Sequence, residues 1–322
     1  MSGLEGFIIG LTTVKQFNLY LSIENKIRRY PCNKAKLMVI NTKLNRFNIF
    51  EKLYLQHKYA RAQGEQMNIA SKKILLVGES WVSSAVHYKG FDSFGSTTFH
   101  SGATPFLKAM NETCFEVTHM PAHEAPETLP LTLEGLRQWD CIILSDIGSS
   151  SLLLHPDVWQ HSKTVPNRLS LLHDYVEQGG GLAMIGGYLT FQGIDGKGRW
   201  RNTPVEKTLP VRCHPYDDRI EIPEGTKAIV DQPDHALFDG VPDQWPALLG
   251  MNEVMLAEDA QLLASAQTAQ GTHPLLAITS YGKGRTLAWM SDMSPHWLPS
   301  EFSDWPGYRQ LWINYLTWLT RA

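Results

Sequence analysis

The side chains best suited to acid–base chemistry are few and widely separated along the 322-residue chain. In the segment SDMSPHW, Asp292 lies four residues before His296. Imidazole titrates near neutrality and a carboxylate on one ring nitrogen fixes its tautomer, so this pair has the makings of an oriented general base. Tyr188 follows the double glycine Gly186-Gly187, and Glu79 and Asp146 each close an apolar run, ILLVG and CIILS. Gly78, Ser80 and Trp81 flank Glu79, and Gly148 opens the serine-rich GSSSLLL, whose backbone amides suit an anion or oxyanion. The expected catalytic set is therefore His296, Asp292, Tyr188 and Glu79. Gly78, Ser80, Trp81, Asp146, Gly148, Gly186 and Gly187 are expected to line a ligand. The competing reading has His296 capping a turn and Tyr188 merely packing.

These residues can act together only if the chain brings several strand ends to one rim. The stretch YVEQGGGLAMIGGYLTFQG (175–193) reads as a helix end, a glycine break, a short buried strand and a second glycine turn. Leu182 to Ile185 is uninterrupted apolar rather than alternating, the pattern of a central parallel strand covered on both faces. Strands over 74–77, 115–119 and 141–144 alternate with helices over 103–111, 133–138 and 167–178, and the last helix has Leu169, Leu172, Tyr175 and Val176 on one face. Strand–helix repetition of this kind predicts a doubly wound parallel sheet, an α/β flavodoxin-like three-layer α/β/α sandwich. In such a sheet Glu79, Asp146, Tyr188 and His296 meet at the C-terminal rim, where open α/β sheets gather ligands. The segment from Val82 to Ala103 reads as a long functional loop. Residues 194–225 read as a β-hairpin insertion, with Asp217, Asp218 and Arg219 forming a turn capped by its own ion pair. Strands over 262–266, 275–280 and 286–290 and a helix over 308–319 close the domain, with YGKGR as the last hairpin turn.

The segments KKILLVGESW (72–81), WDCIILSDIG (139–148), GGGLAMIGGYLTFQG (179–193), DDRIE (217–221) and YGKGRTLAWMSDMSPHW (281–297) resemble the class I glutamine amidotransferase-like superfamily and, more distantly, ThuA-like proteins. The resemblance runs from about Lys72 to the C-terminus. It implies a nucleophilic cysteine on a sharp turn after the central strand, backbone amides ready for an oxyanion, and a histidine two residues before a glutamate. Here the turn holds Gly186, Gly187 and Tyr188, and while His296 occupies the histidine's place, position 298 is leucine. Glutamine hydrolysis is therefore not expected. A small polar ligand or a non-glutaminase hydrolytic activity at the rim is expected instead, with a catalytically silent scaffold or subunit and a ThuA-like carbohydrate-linked protein as alternatives.

Composition narrows the partners. Apolar residues make up 43% and charged residues 19%, enough for a sizeable core in a chain of one or two domains. Residues 1–66 carry a formal charge of +7 and the remainder −10. That first segment lacks a sustained helical or alternating period. It is read as a basic extension, disordered or preceding the true start at Met67, with 67–322 as the domain. No nucleic acid is expected as partner, although a basic arm for one is the functional alternative for 1–66. No membrane span or export signal is legible. The four cysteines form no CxxC pair, which fits a reduced cytoplasmic protein, and a homo-oligomer is compatible with the composition. His119 and His123 are four apart, but Pro121 between them excludes a regular helical metal pair, so no metal is expected. No cofactor is expected either, because the glycines of GGGLAMIGG follow a helix and lead into a strand, the reverse of a dinucleotide fingerprint.

Overall fold

The computed structural model describes residues 71–322, so the basic segment over 1–66 lies outside the described residues. Strand β1 (Lys72–Gly78) is followed by a two-stranded ribbon, β2 (Ser80–Lys89) and β3 (Asp92–Ser101), and by helix α1 (Thr104–Met110). Next come β4 (Phe115–Met120), β5 (Cys141–Ser145), α2 (Ser149–Leu153), α3 (Arg168–Glu177) and β6 (Gly181–Ile185). The second half holds β7 (Val211–Cys213), β8 (Arg219–Thr226), β9 (Ala228–Val230), β10 (Leu248–Asn252), β11 (Val254–Leu256), β12 (Gln261–Thr268), β13 (Gly271–Tyr281), β14 (Gly284–Trp289) and α4 (Pro306–Thr320).

One eight-stranded sheet, in the order β4-β1-β5-β6-β14-β13-β12-β9, organises the domain. The first five strands are mutually parallel, and the last three are added antiparallel. Numbered among themselves, the parallel strands run 2-1-3-4-5, the doubly wound order whose crevice opens between the first and third strands. Here those strands are β1 and β5. Their apolar residues, Ile74 to Val77 and Cys141 to Leu144, are fully buried, as uninterrupted apolar runs in parallel strands should be. Helix α3 buries Leu169, Leu172, Tyr175 and Val176, and Asn167 caps its first amides through Oδ1. Gly179, at φ 122°, lets the chain leave α3 and turn into β6.

Two expectations are corrected. The stretch over 82–103 is not a loop: it forms β2 and β3, ten residues each, paired from Ser80↔Ser101 to Lys89↔Asp92. Its Trp, Val, Tyr, Phe and Thr residues favour strands, and the loop reading failed because neither face of the ribbon is uniformly apolar. The insertion after Gly193 is also not a local hairpin. β7 pairs with β11 and β8 with β10, so the returning strands come from 248–256, with paired residues such as Thr226↔Leu248 and Val211↔Leu256 far apart in sequence. Among the described residues no helix is long and apolar enough to cross a membrane.

Candidate functional site

The carboxyl ends of β1, β5, β6 and β14 deliver Glu79, Asp146, Tyr188 and the Asp292–His296 loop to one rim. Glu79 and Asp146 stand at equivalent places, immediately after β1 and β5, and both have positive φ, 50° and 42°. Left-handed conformations in non-glycine residues cost free energy and persist only where neighbours enforce them. The neighbours are visible. Ser145 Oγ donates to Glu79 Oε2 at 2.5 Å, Ser294 Oγ donates to Glu79 Oε1, and Glu79 N donates to Ser145 O at 2.8 Å. Asp146 Oδ1 accepts from Leu189 N at 2.8 Å. Glu79 is thus a buried latch between β1, β5 and the segment after β14. With 5% exposure, Glu79, expected in the catalytic set, has its carboxylate held inside the domain by these bonds.

His296 Nδ1 lies 2.9 Å from Asp292 Oδ2, which also accepts from Trp297 N at 2.9 Å. The Asp292 side chain is buried and the His296 side chain is 40% exposed, so the pair has a fixed inner end and an accessible outer one. Tyr188 packs edge-on against His296, ring centroids 4.1 Å apart, and donates to Glu221 Oε1 at 3.2 Å. The Arg219 guanidinium sits 5.0 Å from the Tyr188 ring centroid, and Trp297 Nε1 donates to Glu221 Oε2 at 2.9 Å. The expected His296, Asp292, Tyr188 and Asp146 are therefore neighbours.

The turn after β6 differs from an elbow in a specific way: its amides are occupied. Gly187 N donates to Asn252 Oδ1 at 3.0 Å, while Asn252 Nδ2 donates to Gly187 O and, at 2.8 Å, to Asp218 Oδ1. Leu189 N is held by Asp146, and Gln192 N and Gly193 N both donate to Asp218 at 2.8 Å. Gly187, at φ 145°, also has no room for a side chain, since a Cβ there would lie 2.8 Å from Asp146 Oδ1 and 2.9 Å from Asp292 Oδ1. Gly78 and Gly186 serve similar close approaches, to Ser145 O and Met290 O. The remaining expected ligand residues have other partners. Ser80 Oγ accepts from Ala122 N, Trp81 stacks on His100 in the ribbon, and Gly148 caps α2, whose Ser149 N is already given to Gly198 O.

Packing three carboxylates under one rim raises their proton affinities. Burial, followed by the charge of Asp292, pushes Glu79 from 4.5 to about 7. The same two causes push Asp146 from 3.8 to about 6, and burial raises Asp292 as well. Burial lowers His296, but the hydrogen bond and charge of Asp292, with Glu221 and Asp146 beyond, outweigh it and hold the imidazole above its ordinary 6.5. Among the described residues, the trio that brings three donor atoms within 4.8 Å is His173, Asp174 and Glu177, on α3. A cavity of about 230 Å³ lies away from this chemistry, at the opposite ends of β5 and β6, between Arg137, Asp140, Gln178 and Arg321.

Sequence reasoning missed Asn252, Glu221 and Trp297 as parts of the site, and it read Asp218 and Arg219 as a self-contained turn. Asp217 and Arg219 do form the expected ion pair, and it is bidentate, with Arg219 donating at 2.9 and 2.8 Å. Asp218, however, points the other way into the glycine turn. Only the quoted DDRIE segment could have drawn attention to it, and nothing local marks Asn252.

Comparison with known proteins agrees with this architecture. Two cytoplasmic proteins of Salmonella typhimurium share 39% and 40% identity with the chain; each alignment covers 77% of this chain and 98% and 99% of theirs, with TM-scores of 0.73 and 0.72. A ThuA-like protein from Bacteroides uniformis is a distant neighbour at 14% identity and TM-score 0.45, covering 77% of this chain and 91% of that one. No curated protein matches the chain. The family model described as "Putative glutamine amidotransferase" matches residues 73–321, and the chain belongs to that glutamine amidotransferase-like family.

Proposed function

We propose that this chain is a non-glutaminase member of its family whose rim binds a small polar molecule beside a His296–Asp292 proton-handling pair, with Tyr188, Arg219 and Glu221 as the walls. The observation that carries the reading is the occupied turn. Glutamine hydrolysis needs a thiol and free amides aimed at the developing oxyanion, and each missing donor of that kind costs roughly 10²–10³ in rate. This turn has Tyr188 where a nucleophile would stand, and its amides already serve Asn252, Asp146 and Asp218. Acid–base capacity remains. With Asp292 ionised, His296 donates from Nδ1 and its Nε2 is left to accept a proton from a ligand. The 2-1-3-4-5 strand order supports a flavodoxin-like three-layer sandwich as the scaffold, and the descriptions of the two Salmonella relatives support a cytoplasmic setting.

The test is a thermal-shift screen of sugars, amides and amino acids against the parent and His296→Ala, run beside an assay for ammonia release from glutamine. A ligand that raises the parent Tm should lose its effect on the variant. The variant itself should lose only about 1 kcal/mol, because Asp292 keeps the Trp297 amide. Ammonia release abolished by mutating one cysteine would overturn the reading, as would a ligand bound equally well by His296→Ala. A screen without any hit would favour the scaffold alternative.

A further inference from the structure

Residues that end α3 and α4 and residues that precede β5 and β6 line the cavity of about 230 Å³, at the strand ends opposite His296. Pockets that take drug-sized molecules run to about 300–1,000 Å³, so this one suits a compact ligand. Its charged lining is Arg137, Arg321 and Asp140. Asp140 is already neutralised: Oδ1 lies 3.4 Å from Lys72 Nζ, and Oδ2 accepts from Lys73 N at 2.8 Å. The two guanidiniums have no such partner. Among the described residues Arg137 donates to the neutral Gln178 side chain and Arg321 to Lys283 O, and neither meets a carboxylate.

Cations near helix C-termini commonly serve the last carbonyls, but here other groups do so. The amides of Gln178, Gly179, Gly180 and Lys283 serve the last four carbonyls of α3, while Arg285 Nη1 and the Ala322 amide serve Trp318 O and Thr317 O of α4. Arg321 itself stands at φ 54° and ψ 37°, the left-handed place that helices usually give to glycine. A long side chain kept there at a steric cost points to a use for the side chain, since glycine would make the same turn freely. Burial, and then the charge of Arg321, lower Arg285 below its ordinary value, so positive groups crowd here without a counter-charge.

We propose that this cavity is a binding site for a small phosphorylated compound, whose phosphate dianion sits between the Arg137 and Arg321 guanidiniums. The planar fork of N–H donors on each arginine matches two phosphate oxygens, and two forks suit a dianion better than a monoanion. Trp139 and Leu319 add apolar lining for the organic part. The site shares no residue with the rim and works independently of it.

The experiment is thermal unfolding of the full chain at about pH 7.5 with roughly 10 mM inorganic phosphate or glycerol 3-phosphate, each compared with acetate at the same ionic strength. Phosphate also stabilises proteins by general exclusion from their surface, but that acts on every variant alike. The parent, His296→Ala and Lys227→Gln, an exposed cation outside the cavity, should gain about 2–4 °C over acetate. Arg137→Gln and Arg321→Gln should lose most of that gain, while melting near the parent in acetate because both positions are exposed. Equal gains in all five proteins would leave only general exclusion and overturn the proposal. So would a parent that gains nothing, a gain lost in His296→Ala but kept in the arginine variants, or a gain given by succinate and not by phosphate.

Discussion

Replacing Glu79 by glutamine should stabilise this protein at alkaline pH and leave it almost unchanged at mildly acidic pH. The Glu79 carboxyl titrates near 4.5 in an unfolded chain and at about 7 in the folded one, raised by burial and by the neighbouring Asp292 and Asp146 charges. Between those values the folded state binds more protons than the unfolded state, so stability falls as pH rises. At 1.36 kcal/mol per pH unit the full loss from this group is about 3 kcal/mol, present in full below pH 4.5, mostly retained at pH 5 and gone by pH 8.5. In a chain of this size that corresponds to roughly 6–12 °C in Tm. Glutamine imitates the protonated acid: it keeps an acceptor for one of Ser145 and Ser294 and offers a donor to the other. Urea titrations of parent and Glu79→Gln at pH 5 and 8.5 should therefore agree at the lower pH and diverge by 2–3 kcal/mol in the variant's favour at the higher. Asp146, Asp292 and His296 are also raised and act in the same direction, so a reduced slope should remain in the variant. A variant less stable than the parent at pH 8.5, or an advantage that does not change with pH, would refute the latch assignment.

Asn252→Ala should cost about 2–4 kcal/mol by chemical denaturation, because it strands the buried Gly187 amide and removes a donor from buried Asp218. Asn252→Asp should cost more at pH 8 than at pH 5, as a second carboxylate then faces Asp218; equal costs would show that the two do not interact. A chain starting at Met67 should stay soluble and melt within a few degrees of the full chain, given that the first sheet strand starts at Lys72. Precipitation of that shorter chain would show that the first 66 residues complete the fold.

What could be read from the sequence follows from how far apart the cooperating residues lie. The central strands were legible because burial on both faces leaves an unbroken apolar signature in a few consecutive letters, as in Ile74 to Val77 and Leu182 to Ile185. Helix α3 was legible because its cap and apolar face lie within twelve residues. The convergence of Glu79, Asp146, Tyr188 and His296 followed from the sheet alone, since parallel strands place their carboxyl ends together whatever separates them in sequence. The second half had no such rule. β8 finds its partner in β10, after a stretch with no regular period, so pairing was decided by tertiary packing rather than by a local turn.

Asn252 shows why the most consequential residue of the turn was the least visible. It ends β10 and reaches Gly187 and Asp218, 65 and 34 residues away, with a side chain that both donates and accepts. An amide is the group that can satisfy a backbone N–H and a carboxylate at once, and a serine is too short and a carboxylate too charged for both tasks. Its work is to hold the glycine turn in a conformation where the amides point inward. The strain at Glu79 and Asp146 is borne in the same way, by Ser145, Ser294 and the Leu189 amide. The rim thus has an inner layer held by buried hydrogen bonds and a more accessible outer layer of His296, Tyr188 and Glu221. Changes to the inner layer should be read in stability, and changes to the outer layer in binding. Asn252→Ala and His296→Ala separate the two.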